Sequence, residues 1–208
     1  MKPARNERRL RAPDRPRAVP AVFVDRDGTL NREVEYLAAV DRLRLLPGTA
    51  DGIRRLRAAG FAVVLVTNQS GLARGLIEPA TVEAIHQELQ RRLSARGARL
   101  DGIYVCPHLP DAGAPPYRRR CHCRKPAPGL VRRAVREIGL DLARSYCVGD
   151  KPSDLALAAA TGTRAVLVLT GYGRQTARAL DGTIPVAHTA VNFRAAVNWI
   201  IDDAEHRR

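Results

Sequence analysis

The chain holds 208 residues, of which 45% are hydrophobic and 27% charged, and it carries a formal net charge of +14. That balance suits a soluble globular protein long enough to bury a core of Val, Leu, Ile and Ala without covalent staples. No apolar run approaches the roughly 20 residues that cross a bilayer, and four cysteines are too few for a disulfide framework, so a membrane span and a disulfide scaffold are both excluded.

Residues 1–19 form a basic arm with seven Lys/Arg against Glu7 and Asp14. It lacks the apolar stretch of a secretory signal and reads as a disordered, solvated segment. Residues 21–25 then read as a buried strand and 49–59 as a helix that stops at Gly60. A strand at 62–67 follows, then a helix at 79–96 with Pro79 in its first turn, then a strand at 102–106. Residues 107–128 break the alternation with a long connection rich in Pro, Arg and Cys. Beyond it come a helix at 128–138, strands at 146–149 and 165–169 flanking a helix at 153–161, a weaker strand at 185–188 and a helix at 193–203. The Val-rich runs suit strands buried on both faces, and the alternation predicts an α/β fold. We expect one domain over 20–208, with a parallel sheet between helices and reactive groups at the carboxyl ends of its strands.

Candidate chemistry sits at four of those ends. Asp25 and Asp27 follow the first strand in AVFVDRDGTL, and residues two apart share a face, so both carboxylates can point at one place. Two like charges there call for a cation, and Mg²⁺ takes oxygen ligands while leaving room for phosphate oxygens. One aspartate is then able to attack phosphorus while the other handles the proton of the leaving oxygen. The second strand ends in Thr67-Asn68-Gln69-Ser70-Gly71, where a hydroxyl and turn N–H groups suit a phosphate. Arg124-Lys125 precedes a helix and brings cations beside the anion. The fourth strand ends at Asp150, which can complete a metal shell, followed by Lys151. Each feature alone is ordinary turn or surface chemistry; four in order are not.

A second metal is predicted in the long loop. Cys106, His108, Cys121 and Cys123 make a closed Cys₃His set of the kind that holds structural zinc. Zinc over about 106–123 would order a segment that has no helix or strand, and would hold Arg124 and Lys125 in place. His122, between two ligands, is expected to be a bystander and Cys147 a core residue.

The segments VDRDGTL, VTNQSG, CRKPAPG and VGDKPSD resemble the four signature motifs of the haloacid-dehalogenase-like (HAD) phosphatases. The resemblance implies a Rossmann-like sheet, a magnesium cofactor and an aspartyl-phosphate intermediate. Carried over, Asp25 is nucleophile and metal ligand. Asp27 is general acid/base, with its carbonyl on the metal. Thr67 and Lys125 stabilise the phosphoryl group, Asp150 is a further metal ligand and Asp154 a supporting acid. The C-P-H … C-x-C-R-K-P loop is similar to the histidinol-phosphatase-like subfamily, and TNQSGLARG and LDGIYVCPH favour its branch acting on heptose bisphosphate. In that branch the segment Glu33, Val34, Glu35 and Tyr36, with Thr67, Asn68, Gln69, Ser70, Arg124, Lys125 and Lys151, contacts the sugar phosphate. Thiols clustered for a metal rather than disulfides make the cytoplasm the default compartment. The lack of a large insertion after the first motif or between the second and third predicts no cap domain, and the resemblance implies a monomer. Histidinol phosphate is the alternative substrate. A polynucleotide 3′-phosphatase fits less well, because no aromatic-interleaved basic stripe is present to stack bases. A zinc-stapled binding protein with a decayed site fits poorly too, since all five motif side chains are intact.

Overall fold

The computed structural model describes residues 18–207. All but the end of the basic arm predicted at 1–19 therefore lies outside the described residues. Six parallel strands form one sheet: β1 (Val19–Val24), β2 (Ala62–Asn68), β3 (Gly102–Cys106), β4 (Leu140–Gly149), β5 (Arg164–Val168) and β6 (His188–Ala190). Their order is β3-β2-β1-β4-β5-β6, so the chain runs outward from β1 on one side and then restarts at β4 on the other. The crevice beyond the carboxyl ends of β1 and β4 is the place where such a sheet binds ligands.

Period-two alternation explains why both faces are covered. Along β1, Val22 and Val24 point into one core with Val63 and Leu65 of β2, while Ala21 and Phe23 point into the other with Val64 and Val66. Helices α1 (Thr49–Ala58), α2 (Pro79–Ser94) and α6 (Phe193–His206) close the first face through Ile53, Leu56, Ile85, Leu89, Val197 and Ile200. Helices α3 (Gly129–Ala134) and α4 (Pro152–Thr161) close the second through Leu130, Val131, Leu155 and Leu157. Each such side chain contributes about 1.5–3 kcal/mol when taken from water. No described helix is long and apolar enough to cross a membrane.

Several predicted boundaries shift for local reasons. β4 begins at Leu140 rather than 146, because Val19 and Pro20 of β1 pair with Leu140 and Asp141 before a break in register. The helix expected at 128–138 is regular only to Ala134; its last turn, Val135–Gly139, widens before Gly139 reverses the chain at φ 79°. The strand expected at 185–188 lies at His188–Ala190: Val186, inside the expected range, packs against the second core together with Ile184 instead of joining the strand. Helix α5 (Gly173–Ala179) was not expected, since seven residues carry too little periodicity to read. Between β1 and α1 the chain makes only loops and a single 3₁₀ turn (Val40–Arg42), so no domain is inserted there.

Candidate active site

Asp25 directly follows the paired part of β1, and its N–H donates to Val148 O of β4 at 3.0 Å. Its Oδ1 accepts from Lys125 Nζ at 2.8 Å, and the same ammonium reaches Asp154 Oδ1 at 2.6 Å and Val66 O at 2.8 Å. Burial alone would favour neutral Lys125, but the Asp154 and Asp25 charges outweigh it and push its pKa up. Lys125 therefore stays an ammonium at the heart of the site. Asn68, at the end of β2, grips its backbone from both sides, accepting from Lys125 N at 3.0 Å and donating to Lys125 O at 3.1 Å.

Asp150 directly follows β4 and is wholly buried. Its Oδ2 accepts the Tyr172 N–H at 2.8 Å, while its Oδ1 has no hydrogen-bond partner. Burial, reinforced by the charge of Asp25, pushes its pKa to about 8. Gly28, at φ 82°, packs so close that a Cβ there would lie 2.2 Å from Asp150 Oδ2. One carboxylate oxygen from each of Asp25, Asp150 and Asp154 falls within 4.8 Å of the others. Buried acids packed this way are costly unless a cation joins them, and an all-oxygen donor set with an orphaned member suits a hard divalent ion. The residues present fit magnesium.

Asp27 is arranged differently. The wholly buried Arg26 donates to it side-on, Nε to Oδ1 at 3.0 Å and Nη2 to Oδ2 at 2.7 Å. Asn31 Nδ2 adds a bond to Oδ1 at 2.9 Å and Gln69 Nε2 one to Oδ2 at 3.1 Å. Burial would raise the pKa of Asp27, but the Arg26 charge and these donors together lower it. On its far edge Arg26 Nη1 meets His86 Nε2 of α2 at 3.2 Å. A guanidinium only donates, so His86 accepts and is neutral. Burial first, and the Arg26 charge second, bring the His86 pKa down to about 4. Neither Arg26 nor His86 was anticipated from sequence.

A cavity of about 340 Å³ opens over these groups, lined by Asp25, Asp27, Thr67 and Lys125 together with Glu33, Glu35, Tyr36, Asn68, Gln69, Ser70, Arg124 and Lys151. Of the expected substrate contacts only Val34 is elsewhere, packed against the first core. Its neighbours turn outward because Glu33 Oε1 accepts from Val34 N at 3.0 Å and Glu35 N at 2.8 Å, which folds the loop with Glu35 at φ 59°. Glu33 Oε2 holds Lys151 Nζ at 2.8 Å. Burial works against the Lys151 charge, but Asp25, Glu33 and Asp150 outweigh it and push its pKa up. Gly71, Ser153 and Tyr172 also line the cavity and were missed. Ser153 lies inside the fourth motif, which was signal enough, whereas Tyr172 precedes the unforeseen α5.

The second predicted cluster is assembled as well. The donor atoms of Cys106, His108, Cys121 and Cys123 lie within 4.8 Å of one another, and all four cysteines of the chain are free. The Sγ–Sγ separations of 3.7, 3.2 and 3.3 Å compare with the ~3.8 Å edge of a tetrahedron with zinc–sulfur bonds of about 2.3 Å. His108 Nδ1 is 3.2 Å from Cys123 Sγ, and Arg124 Nη1 donates to His108 O at 3.0 Å, tying the cluster to the cavity wall. His122 is exposed and outside the set, and Cys147 is buried in β4.

Comparison with known proteins agrees with this geometry. A HAD-hydrolase-like family profile matches residues 122–196. The chain is 46% identical over 156 residues to D-glycero-beta-D-manno-heptose-1,7-bisphosphate 7-phosphatase of Yersinia pestis, covering 74% of this chain and 82% of the relative. It is 43% identical over 189 residues to D-glycero-D-manno-heptose-1,7-bisphosphate 7-phosphatase of Thermosynechococcus vestitus, covering 87% and 95%. Among solved structures, D,D-heptose 1,7-bisphosphate phosphatase from B. bronchiseptica, complexed with magnesium and phosphate, superposes with a TM-score of 0.78 at 39% identity, over 88% of this chain and 99% of that one. Carboxylates gathered at the sheet's switch point and relatives this similar lead to one conclusion: the chain belongs to the heptose-1,7-bisphosphate 7-phosphatase family of HAD-hydrolase-like proteins.

Proposed function

We propose that this protein removes the 7-phosphate of D-glycero-D-manno-heptose 1,7-bisphosphate by way of a phosphoaspartate. The observation that carries the reading is the convergence of Asp25, Lys125, Asp150 and Asp154 beneath one polar cavity. Asp25 is the nucleophile: its carboxylate oxygen bonds to phosphorus as the bond to the sugar oxygen breaks. Asp27 is the general acid/base. The negative charge of a bound phosphate ester raises its affinity for a proton above its otherwise depressed value, so it takes a proton as the ester binds. It gives that proton to the departing oxygen, then takes one from the water that releases inorganic phosphate from Asp25. Lys125 and the Thr67 hydroxyl balance charge on the phosphoryl oxygens. Asp25, Asp150 and the carbonyl of Asp27 would hold magnesium, which supplies charge neutralisation and orientation of the phosphoryl group. Asp154 fixes Lys125.

Glu33, Glu35, Tyr36, Asn68, Gln69, Ser70, Arg124 and Lys151 receive the rest of the sugar, with Arg124 suited to a forked grip on its second phosphate. Zinc on Cys106, His108, Cys121 and Cys123 would be structural. Every proposed site group comes from one chain, so a monomer in the cytoplasm, where free thiols persist, suffices. Phosphate release should be compared across heptose 1,7-bisphosphate, histidinol phosphate and a 3′-phosphorylated oligonucleotide, with Mg²⁺ and with a chelator. The heptose ester should give the highest kcat/KM, lost without Mg²⁺; faster turnover of either rival would overturn the assignment.

A further inference from the structure

Tyr172 is one of few large apolar side chains left open to solvent, at 40% exposure, yet it is fixed from three directions. Its N–H is committed to Asp150 Oδ2 at 2.8 Å. The preceding Gly171 sits at φ 53° with its Cα against Gly28, where a Cβ would lie 2.6 Å from Gly28 Cα and 2.2 Å from Asp150 Oδ2, so the chain has one path through this point. The ring lies 5.0 Å from Lys151 Nζ, a cation–π contact, and that ammonium is itself pinned by Glu33 at 2.8 Å. An exposed aromatic held this firmly is a surface, not a loose tip.

Its position gives that surface a use. Tyr172 lines the catalytic cavity and also an outer cleft of about 500 Å³ that Arg174, Gln175 and Arg178 border. Tyr172 is thus the residue that the two spaces share. We propose that Tyr172 is a specificity-determining wall of the phosphatase site, stacking on the sugar of a compact phosphate ester and excluding bulkier phosphate monoesters from the catalytic cavity. The inference rests on the reading of this cavity as a sugar-phosphate site. A flat aromatic offers the C–H face of a sugar a broad apolar contact at little entropic cost, because only two torsions must be fixed. The Lys151 ammonium on the same ring stays aimed at the anionic substrate. Removing the ring would join the cavity to the outer cleft, whose two arginines would welcome a larger anion.

The test is the ratio of kcat/KM for heptose 1,7-bisphosphate to that for a nucleoside 5′-monophosphate, in the wild type, Tyr172→Ala and Tyr172→Phe. Wild type should favour the sugar. Tyr172→Ala should cut that ratio about tenfold or more, the range that one pocket contact controls, and Tyr172→Phe should restore it to within about threefold of wild type. A Tyr172→Ala ratio equal to wild type, including the case where both substrates slow together, would show that the ring acts only through Asp150 and would overturn the wall while leaving the proposed function intact. A wild-type enzyme indifferent to the two esters would sink the sugar-phosphate reading and the wall with it.

Discussion

At the residue scale, the site is organised by one buried ammonium between two carboxylates. Lys125 touches Asp25 and Asp154 at 2.8 and 2.6 Å, so the proposed nucleophile is oriented and partly neutralised before any substrate arrives. Replacing Asp25 by Asn keeps the shape and leaves Lys125 its contacts to Asp154 and Val66, so the variant should fold. It nonetheless removes the attacking oxygen's charge, and turnover should fall by roughly 10³-fold or more. Phosphate-release assays beside a thermal melt check this, and near-normal turnover would refute Asp25 as nucleophile. Asp25 and Asp150 were legible because each directly follows a Val-rich strand whose end can be placed from sequence, and Lys125 because Arg124-Lys125 precedes a helix. Arg26 and His86 were not, for they lie 60 positions apart and their link appears only when α2 closes over the first core. Val34 stands apart for the opposite reason: a contiguous stretch was carried over whole, although the loop folds back on Glu33 with Glu35 at φ 59°, leaving Glu33, Glu35 and Tyr36 on the cavity and Val34 on the first core.

At the element scale, the strands were readable where they are buried on both faces and blurred where they are not. β2 and β3 fell within a residue of expectation and β1 within two, while β6, a three-residue edge strand, and α5, a two-turn helix, carry too short a pattern to announce themselves. The long loop was legible only as an anomaly, and its four metal-type side chains explain it. With no helix or strand between Cys106 and Gly129, this connection has no backbone ladder of its own. It is held by scattered backbone bonds such as Leu109 N to Tyr117 O and Ala114 N to Ala73 O, by the Arg124 bond to His108 O and by Asn68 at Lys125, and the Cys₃His cluster gathers its two ends. Zinc content should approach one per chain, and Cys121→Ser should lose most of that zinc and most phosphatase activity together, through misplacement of Lys125. Metal analysis with parallel rate measurements decides; retention of both zinc and full activity would dismiss the clamp.

At the scale of the whole molecule, the strand order places the two halves of the sheet on either side of the site, and α2 braces it from behind through His86, which is only 7% exposed. That brace makes global stability depend on pH in a definite direction. His86 titrates near 6.5 when the chain is unfolded but at about 4 when folded, because burial and Arg26 both oppose its charge. Between those values the unfolded chain binds a proton that the folded chain refuses, so acid favours unfolding: the stabilising contribution is complete above pH 6.5 and is lost as pH falls toward 4. The depressed Asp27 acts in the same sense but only below its ordinary value of 3.8, so the two windows separate. His86→Gln keeps an acceptor for Arg26 Nη1 and cannot titrate. Taking the difference between the two proteins cancels contributions common to both, including those of the zinc ligands. Denaturant melts from about pH 7 to about pH 4.5 should therefore show the wild type losing roughly 2–3 kcal/mol more than His86→Gln. Parallel losses in the two proteins would mean that His86 is not the neutral partner of Arg26, and the brace between α2 and Asp27 would have to be abandoned.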